Sequence, residues 1–463
     1  MSMTRRSFLA ASACVAAKAA PAVEAFVRVS PRNPRYLELS DGSPYIPIGL
    51  NLIAPGQRDE VAGLRQYESW LDKLSAQGGN YVRAWLSNDF WDVEHAKSGE
   101  YDEAKARRIE AMLEMARRRG IRVKMTLEHF RSIGEGPQKW ADKPIHHVSN
   151  GGPASSISDF FDGEKSREQF KRKLAWFAKR FGDHPEIFGW ELWNEINAVR
   201  GGDYMAWTEM MLAELHKLFP RNLCMQSLGS FDTDRVRPVY RRHSLLSTND
   251  IAQVHRYLDL GAALEICHGP VDVLAADAVR EILSYEVAKP VILAESGAVE
   301  PRHTGPFKLY AADKEGALLH DVLFAPFFAG SAGCGQTWHW DAYVERNNLW
   351  WHFGRFAEFV KGLDPAAEAF LPSLQPHPRL RVYRLDGRQT TLLWCRDTRN
   401  DWRSELERGE IPEKLAGLTL EEPSGREPVR AYNPWSGTWE QIRRTGGRLA
   451  LPDFQRSIAL RLG

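Results

Sequence analysis

Two glutamates, each ending a short apolar run, carry the chemistry open to this sequence. The first is Glu195, in Trp190-Glu191-Leu192-Trp193-Asn194-Glu195, which follows Pro185-Glu186-Ile187-Phe188-Gly189. The second is Glu295, in Pro290-Val291-Ile292-Leu293-Ala294-Glu295-Ser296-Gly297. Polar residues that close an apolar strand belong to the rim of a site rather than to a surface loop. Two carboxyls brought together there can act as proton donor and nucleophile, provided their surroundings push their pKa values apart. Glu191 and Glu195 share a side by strand alternation, so position separates them. Glu195 belongs at the mouth, and Glu191 lies deeper as a buried structural carboxylate. Asn194 and Glu195 reach one pocket only if the regular strand breaks between them.

Strand ends must converge for these groups to meet, and an alternation of strands and helices supplies them. Besides the strand of the first motif, strands are predicted at 45–51, 80–86, 121–127, 223–228, 251–255, 291–295 and 334–340. Helices are predicted at 67–76, 103–119, 165–181, 204–218, 271–287, 313–328 and 349–363, from apolar residues recurring on one face. Eight such units with right-handed crossovers form an α/β fold of the (β/α)8 barrel type, whose chemistry sits at the C-terminal ends of the strands. Two long connections, 129–163 and 296–308, follow strands and therefore wall that same face. Residues 26–43 read as two short strands. After Pro365 the pattern changes to short strands at 381–385, 390–395, 428–432, 439–442, 449–451 and 457–462, a C-terminal antiparallel β-sandwich. The expected division is a leader over 1–25, a barrel over 26–365 and the sandwich over 366–463.

The chain has 463 residues, of which 43% are hydrophobic and 26% charged, as in a soluble globular protein. No apolar run approaches the roughly 20 residues that span a bilayer. Net charge is +1, and Arg5, Arg6 and Lys18 fall in the leader, so the remainder is slightly acidic and carries no basic footprint for nucleic acid. Thr4-Arg5-Arg6-Ser7-Phe8-Leu9 followed by an Ala-rich stretch looks like a twin-arginine export signal, which implies a periplasmic or extracellular protein. Removing Cys14 with that leader leaves Cys224, Cys267, Cys334 and Cys395, which read as buried thiols rather than a disulfide framework.

Arg83 ending strand 2, Asn194-Glu195 on strand 4, His255-Arg256-Tyr257 on strand 6, Glu295 on strand 7 and Trp338/Trp340 on strand 8 form a pattern. The chain with this pattern resembles the clan A glycoside hydrolases, and family 5 (cellulase- and mannanase-like) most closely. The resemblance implies a retaining hydrolase that cleaves a β-linked glycosidic bond of an oligo- or polysaccharide. Glu195 would be acid then base, its pKa raised by burial and by neighbouring negative charge. Glu295 would be the nucleophile, held ionised by Arg83 and the Tyr257 hydroxyl. Asn194 would bond the sugar 2-hydroxyl, and Trp338 or Trp340 would stack under a sugar ring. Asn51, His129 and His255 complete the expected substrate site, and no cofactor or metal is implied. A transglycosidase, or a non-catalytic carbohydrate-binding barrel, would use the same scaffold. A metal-dependent barrel hydrolase would need a His pair at the end of strand 1, where Gly49-Leu50-Asn51-Leu52 stands instead. His146 and His147 read as loop surface rather than ligands.

Overall fold

Short apolar strands alternate with amphipathic helices from residue 49 onward, each strand too apolar to leave a face in water. The computed structural model describes residues 24–129, 144–182, 184–199 and 201–463. All but the last two residues of the predicted leader, and the middle of the 129–163 connection, lie outside the described residues. Strands β1 (Gly49–Asn51), β2 (Tyr81–Trp85), β3 (Arg122–Glu128), β4 (Ile187–Trp193) and β5 (Leu223–Met225) hydrogen-bond in that order into one parallel sheet. Strands β6 (Ala252–His255) and β7 (Val291–Glu295) form a second parallel pair. Every residue in these seven strands is buried, as a parallel sheet covered on both faces requires.

The crossovers are helices Glu60–Ala76, Glu103–Arg118, Glu164–Phe181, Tyr204–Leu218, Val271–Leu283 and Ala317–Phe328. Asp59, Asp102 and Asp203 cap three of them, each accepting from backbone N–H groups of the first turn. The helix Arg237–Ser244, absent from the sequence prediction, lies between β5 and β6. Its eight residues carry too few apolar positions to show a period.

The predicted strand 334–340 is not a regular strand. Ala332 and Gln336 donate to Val291 and Leu293 on one side, while Cys334 donates to Pro47 and Asn51 N to Thr337 O on the other. The segment is glycine-rich because a Cβ on Gly335 would come within 2.2 Å of the Val322 carbonyl oxygen. Trp340–Glu345 then winds into a π-helical turn.

The N-terminal strands Val27–Val29 and Leu37–Leu39 pair antiparallel, as the sequence suggests. Val27, Leu37 and Tyr45 pack with Tyr81, Phe188, Leu223 and Ile292, which closes the end of the parallel strands opposite to Glu195 and Glu295.

Beyond residue 370 a six-stranded antiparallel sheet runs in the order Leu371–Gln375, Leu380–Asp386, Thr391–Asp397, Ser457–Leu462, Val429–Asn433 and Thr438–Ile442. A three-stranded sheet of Thr419–Glu421, Arg448–Ala450 and Arg444–Thr445 covers one face, through Val382, Leu393 and Leu460 against Leu420, Leu449 and Phe454. The other face puts Trp394 and Tyr432 against Phe324, Phe328 and Phe359. Ala317–Phe328 is therefore buried all round, lying between the parallel strands and this sheet. Among the described residues the four cysteines, Cys224, Cys267, Cys334 and Cys395, are buried and form no disulfide. Among the described residues no helix is long and apolar enough to cross a membrane.

Candidate active site

Strand β4 stops at Trp193, and the chain breaks as the sequence required. Glu195 sits in the left-handed region, φ 54° and ψ 51°, which costs a residue with a Cβ about 1–2 kcal/mol. Its N–H is held by Ser227 Oγ at 3.2 Å. The break turns both Asn194 and Glu195 into one cavity, which Glu295 reaches from the end of β7. Glu195, His255 and Glu295 each present an atom within 4.8 Å of the other two, so the carboxylates approach within that distance. His255 Nδ1 stands between them, 2.9 Å from Glu195 Oε1 and 3.4 Å from Glu295 Oε2.

The two carboxyls have unlike surroundings. Glu295 is buried, accepts from Tyr257 Oη at 2.7 Å, and accepts from Arg83 Nη1. Burial pushes its pKa up, but His255, Arg83 and Tyr257 together pull it below the usual carboxylate range. Glu195 keeps 21% of its side chain exposed and, among the described residues, pairs with no guanidinium or ammonium group.

Arg83 is itself fully buried and anchored from behind. Its Nε and Nη2 donate to Glu191 Oε2 at 2.8 and 2.6 Å, and Nη2 donates to Asn194 Oδ1 at 2.7 Å. Thr126 and Gln253 also donate to Glu191, so that residue is the structural carboxylate the sequence suggests. Lys124, buried beside this group, has its pKa lowered to about 7 by burial and by the charge of Arg83.

A guanidinium can only donate, so Arg83 fixes the Asn194 oxygen toward itself and leaves the amide NH2 to the cavity. That cavity is about 420 Å³. Trp85, Trp338 and Trp340 form one wall, with ring centroids 5.1 Å apart between the first two and 5.8 Å between the last two. Tyr257, His339 and residues 303–306 face it.

Of the residues predicted to bind substrate, Asn194, Tyr257, Trp338 and Trp340 line the cavity with Glu195 and Glu295. Arg83 and His255 touch the carboxylates and do not line it. Asn51 stands farther back. Its amide donates to the carbonyls of Ala294, Gln336 and Thr337, tying β1 to the chain after β7. His129 stacks on Trp85 at 5.3 Å and bonds Ser87 Oγ, so it supports the wall from behind. These placements correct the expectation that Asn51 and His129 meet substrate directly: neither lines the cavity, the Asn51 amide is taken by protein groups, and the His129 ring packs against Trp85. His146 is corrected as well. It is buried near Glu94 and Glu128 rather than on a loop surface, and His147 is half-buried.

Sequence reasoning missed Trp85, His339 and His303. Trp85 was legible, since it follows Arg83 by two residues and shares its side of β2. His339 depends on the irregular turn after 337, and its pKa is lowered to about 4 by burial and by the charge of His303, so its ring is neutral near pH 7.

The model of the cellulase family, glycosyl hydrolase family 5, matches residues 55–314. No curated protein matches the chain. Among solved structures, a glycoside hydrolase at 14% identity covers 94% of this chain and 96% of its own, with TM-score 0.59. A family 5 glycoside hydrolase from Bacteroides vulgatus is 15% identical over 94% of this chain and 93% of its own, with TM-score 0.54. A family 5 mannosidase from Rhizomucor miehei is 16% identical over 68% of this chain and 85% of its own, with TM-score 0.51. The first two coverages extend the shared fold into the C-terminal sheets. The family match takes in more than half of the chain and both glutamates, and the protein therefore belongs to glycosyl hydrolase family 5 and is a glycosidase acting on a carbohydrate substrate.

Proposed function

We propose that this glycosidase hydrolyses a β-linked bond with retention, Glu295 being the nucleophile and Glu195 the acid and then the base. The carrying observation is the approach of the two carboxylates within 4.8 Å. Retaining enzymes place them about 5–5.5 Å apart, and inverting enzymes about 6.5–9.5 Å apart to admit a water. The unlike surroundings support the roles. Glu295, held ionised, attacks the anomeric carbon while Glu195 gives its proton to the leaving oxygen, and a glycosyl ester forms on Glu295. Glu195, now a carboxylate, takes a proton from water, which attacks the same carbon and releases Glu295. The Asn194 amide bonds the 2-hydroxyl, a contact that tightens in the transition state. Trp338 or Trp340 stacks under the ring, and Trp85 extends that platform.

The same reading includes the architecture. The hydrogen bonds of 332–337 to both β7 and the β1 side are those that would close a (β/α)8 barrel over 26–365. The facing sheets beyond 366 would then be the appended sandwich. The Arg5-Arg6 leader makes this an exported enzyme.

Single substitutions and azide test the roles. Glu295→Ala is expected to lose turnover of every substrate. Glu195→Ala keeps glycosylation by aryl glycosides with good leaving groups, and azide then restores turnover and yields a β-glycosyl azide. A retained β-glycosyl azide from Glu295→Ala, with no rescue of Glu195→Ala, would reverse the roles, and release of the inverted anomer by the wild-type enzyme would point to inversion. β-Mannosides head the panel, given the mannosidase among the structural relatives.

A further inference from the structure

Three loops at the rim of the cavity bring Asp232, Asp259 and His303 together. They follow β5, β6 and β7 in turn, and each offers one ligand atom within 4.8 Å of the other two. Asp259 is 1% exposed. Its Oδ1 accepts from Gly261 N at 2.7 Å and Arg302 N at 3.0 Å, and so binds the third loop to the second. Its Oδ2 is buried and has no hydrogen-bond donor among the described residues. That oxygen faces His303 Nε2, 3.6 Å away. Zinc–nitrogen and zinc–oxygen bonds of about 2.0–2.2 Å set ligand-to-ligand edges of about 3.4 Å in a tetrahedron. The Asp259–His303 pair is already close to that edge.

Comparable clusters elsewhere have their carboxylate or their imidazole engaged by other protein groups. Between Glu94 and Glu128, Lys173 Nζ lies 2.9 Å from Glu94 and also bonds Glu128. Between Glu195 and Glu295, Arg83 serves Glu295. Near Asp250, His216 Nε2 is turned onto the Thr248 carbonyl at 3.0 Å. At Asp232 and Asp259 the neighbouring guanidinium, Arg256, is committed to the Phe231 carbonyl and to Asp277.

We propose that Asp232, Asp259 and His303 bind a divalent transition-metal ion, Zn²⁺ being the ion that one imidazole and two carboxylates suit. Calcium, which takes six to eight oxygens, fits this donor set poorly. The ion ties the loops after β5, β6 and β7 together and holds His303, which lines the cavity, in place. The site is independent of the roles given to Glu195 and Glu295, and no step of hydrolysis passes through it.

Calorimetric titration of the chelator-treated, dialysed full chain with ZnCl₂ tests this, alongside the thermal midpoint with and without the ion. One Zn²⁺ per chain and a raised midpoint are expected. Asp259→Asn and His303→Gln should each weaken binding at least thirtyfold, and Glu195→Gln should leave it unchanged. His303 lies on an outer loop, so His303→Gln keeps the test decisive should Asp259→Asn fail to fold. Absence of saturable one-site binding overturns the proposal, as does equal binding by wild type and His303→Gln. Loss only in Glu195→Gln would put the ion between the catalytic carboxylates and overturn it too. So would an imidazolium signal from His303 at pH 7 in a chain that takes up no Zn²⁺, since the proton would then be the bridging charge.

Discussion

The phenol of Tyr257 donates to Glu295 Oε2 across 2.7 Å, from the chain just beyond the strand whose His255 is the register partner of Glu295. One strand pair thus delivers the carboxylate, the donor that keeps it ionised and the imidazole that joins it to Glu195.

The pH profile should report that donor. Tyr257 favours the ionised form of Glu295, so Tyr257→Phe removes one of the influences opposing burial, and the Glu295 pKa rises. The nucleophile must be ionised, so the acidic limb of kcat/KM against pH moves upward. A hydrogen bond to a charged group is worth about 1.5–3 kcal/mol, or about 1–2 pH units. The stability that Glu295 contributes follows the same sign, present above the ordinary carboxylate pKa and lost as pH falls through the lowered folded value. An unmoved acidic limb would remove Tyr257 from this role.

The backbone of Glu195 offers a second check. Its φ of 54° penalises any side chain with a Cβ. Glu195→Gly and Glu195→Ala both lose the acid/base, yet the glycine variant should be more stable by about 1 kcal/mol. Urea unfolding of the two proteins measures the difference, and equal midpoints would mean that the turn relaxes.

A buried ion pair joins the C-terminal sheet to the rest. Arg396 Nε and Nη2 donate to the two carboxylate oxygens of Asp321 at 2.8 and 3.2 Å. Arg396→Ala leaves Asp321 buried and unpaired, and should cost about 3–5 kcal/mol, most of it recovered by Arg396→Leu with Asp321→Leu. Because Trp394 and Phe324 stack across the same boundary, calorimetry should show one unfolding transition. An early separate transition for the C-terminal part would contradict that coupling.

The proposed export is tested at the twin arginines. Arg5→Lys with Arg6→Lys should hold the precursor in the cytoplasm, as judged by fractionation, and unchanged export would indicate another route.

Much of this protein was legible without coordinates. Parallel strands buried on both faces are short apolar runs, so β2, β3, β4, β6 and β7 stand out, and their polar ends mark the site at Arg83, Asn194, Glu195, His255 and Glu295. The helix Arg237–Ser244 and the strands Leu371–Gln375 and Thr419–Glu421 did not stand out, being too short or too polar to show a period.

By itself the sequence determined which residues end strands, since alternation and strand length are local properties of the chain. Only the tertiary structure decided how far each side chain reaches. Asn51 and Glu295 both end strands, yet the Asn51 amide is spent on three carbonyls while Glu295 faces the cavity. His303, Asp259 and Asp232 belong to three different loops, and nothing in local spacing brings them within 4.8 Å. That proximity follows from the packing of neighbouring loops, with Gly261 allowing the close approach at Arg302, and packing is a property of the whole fold.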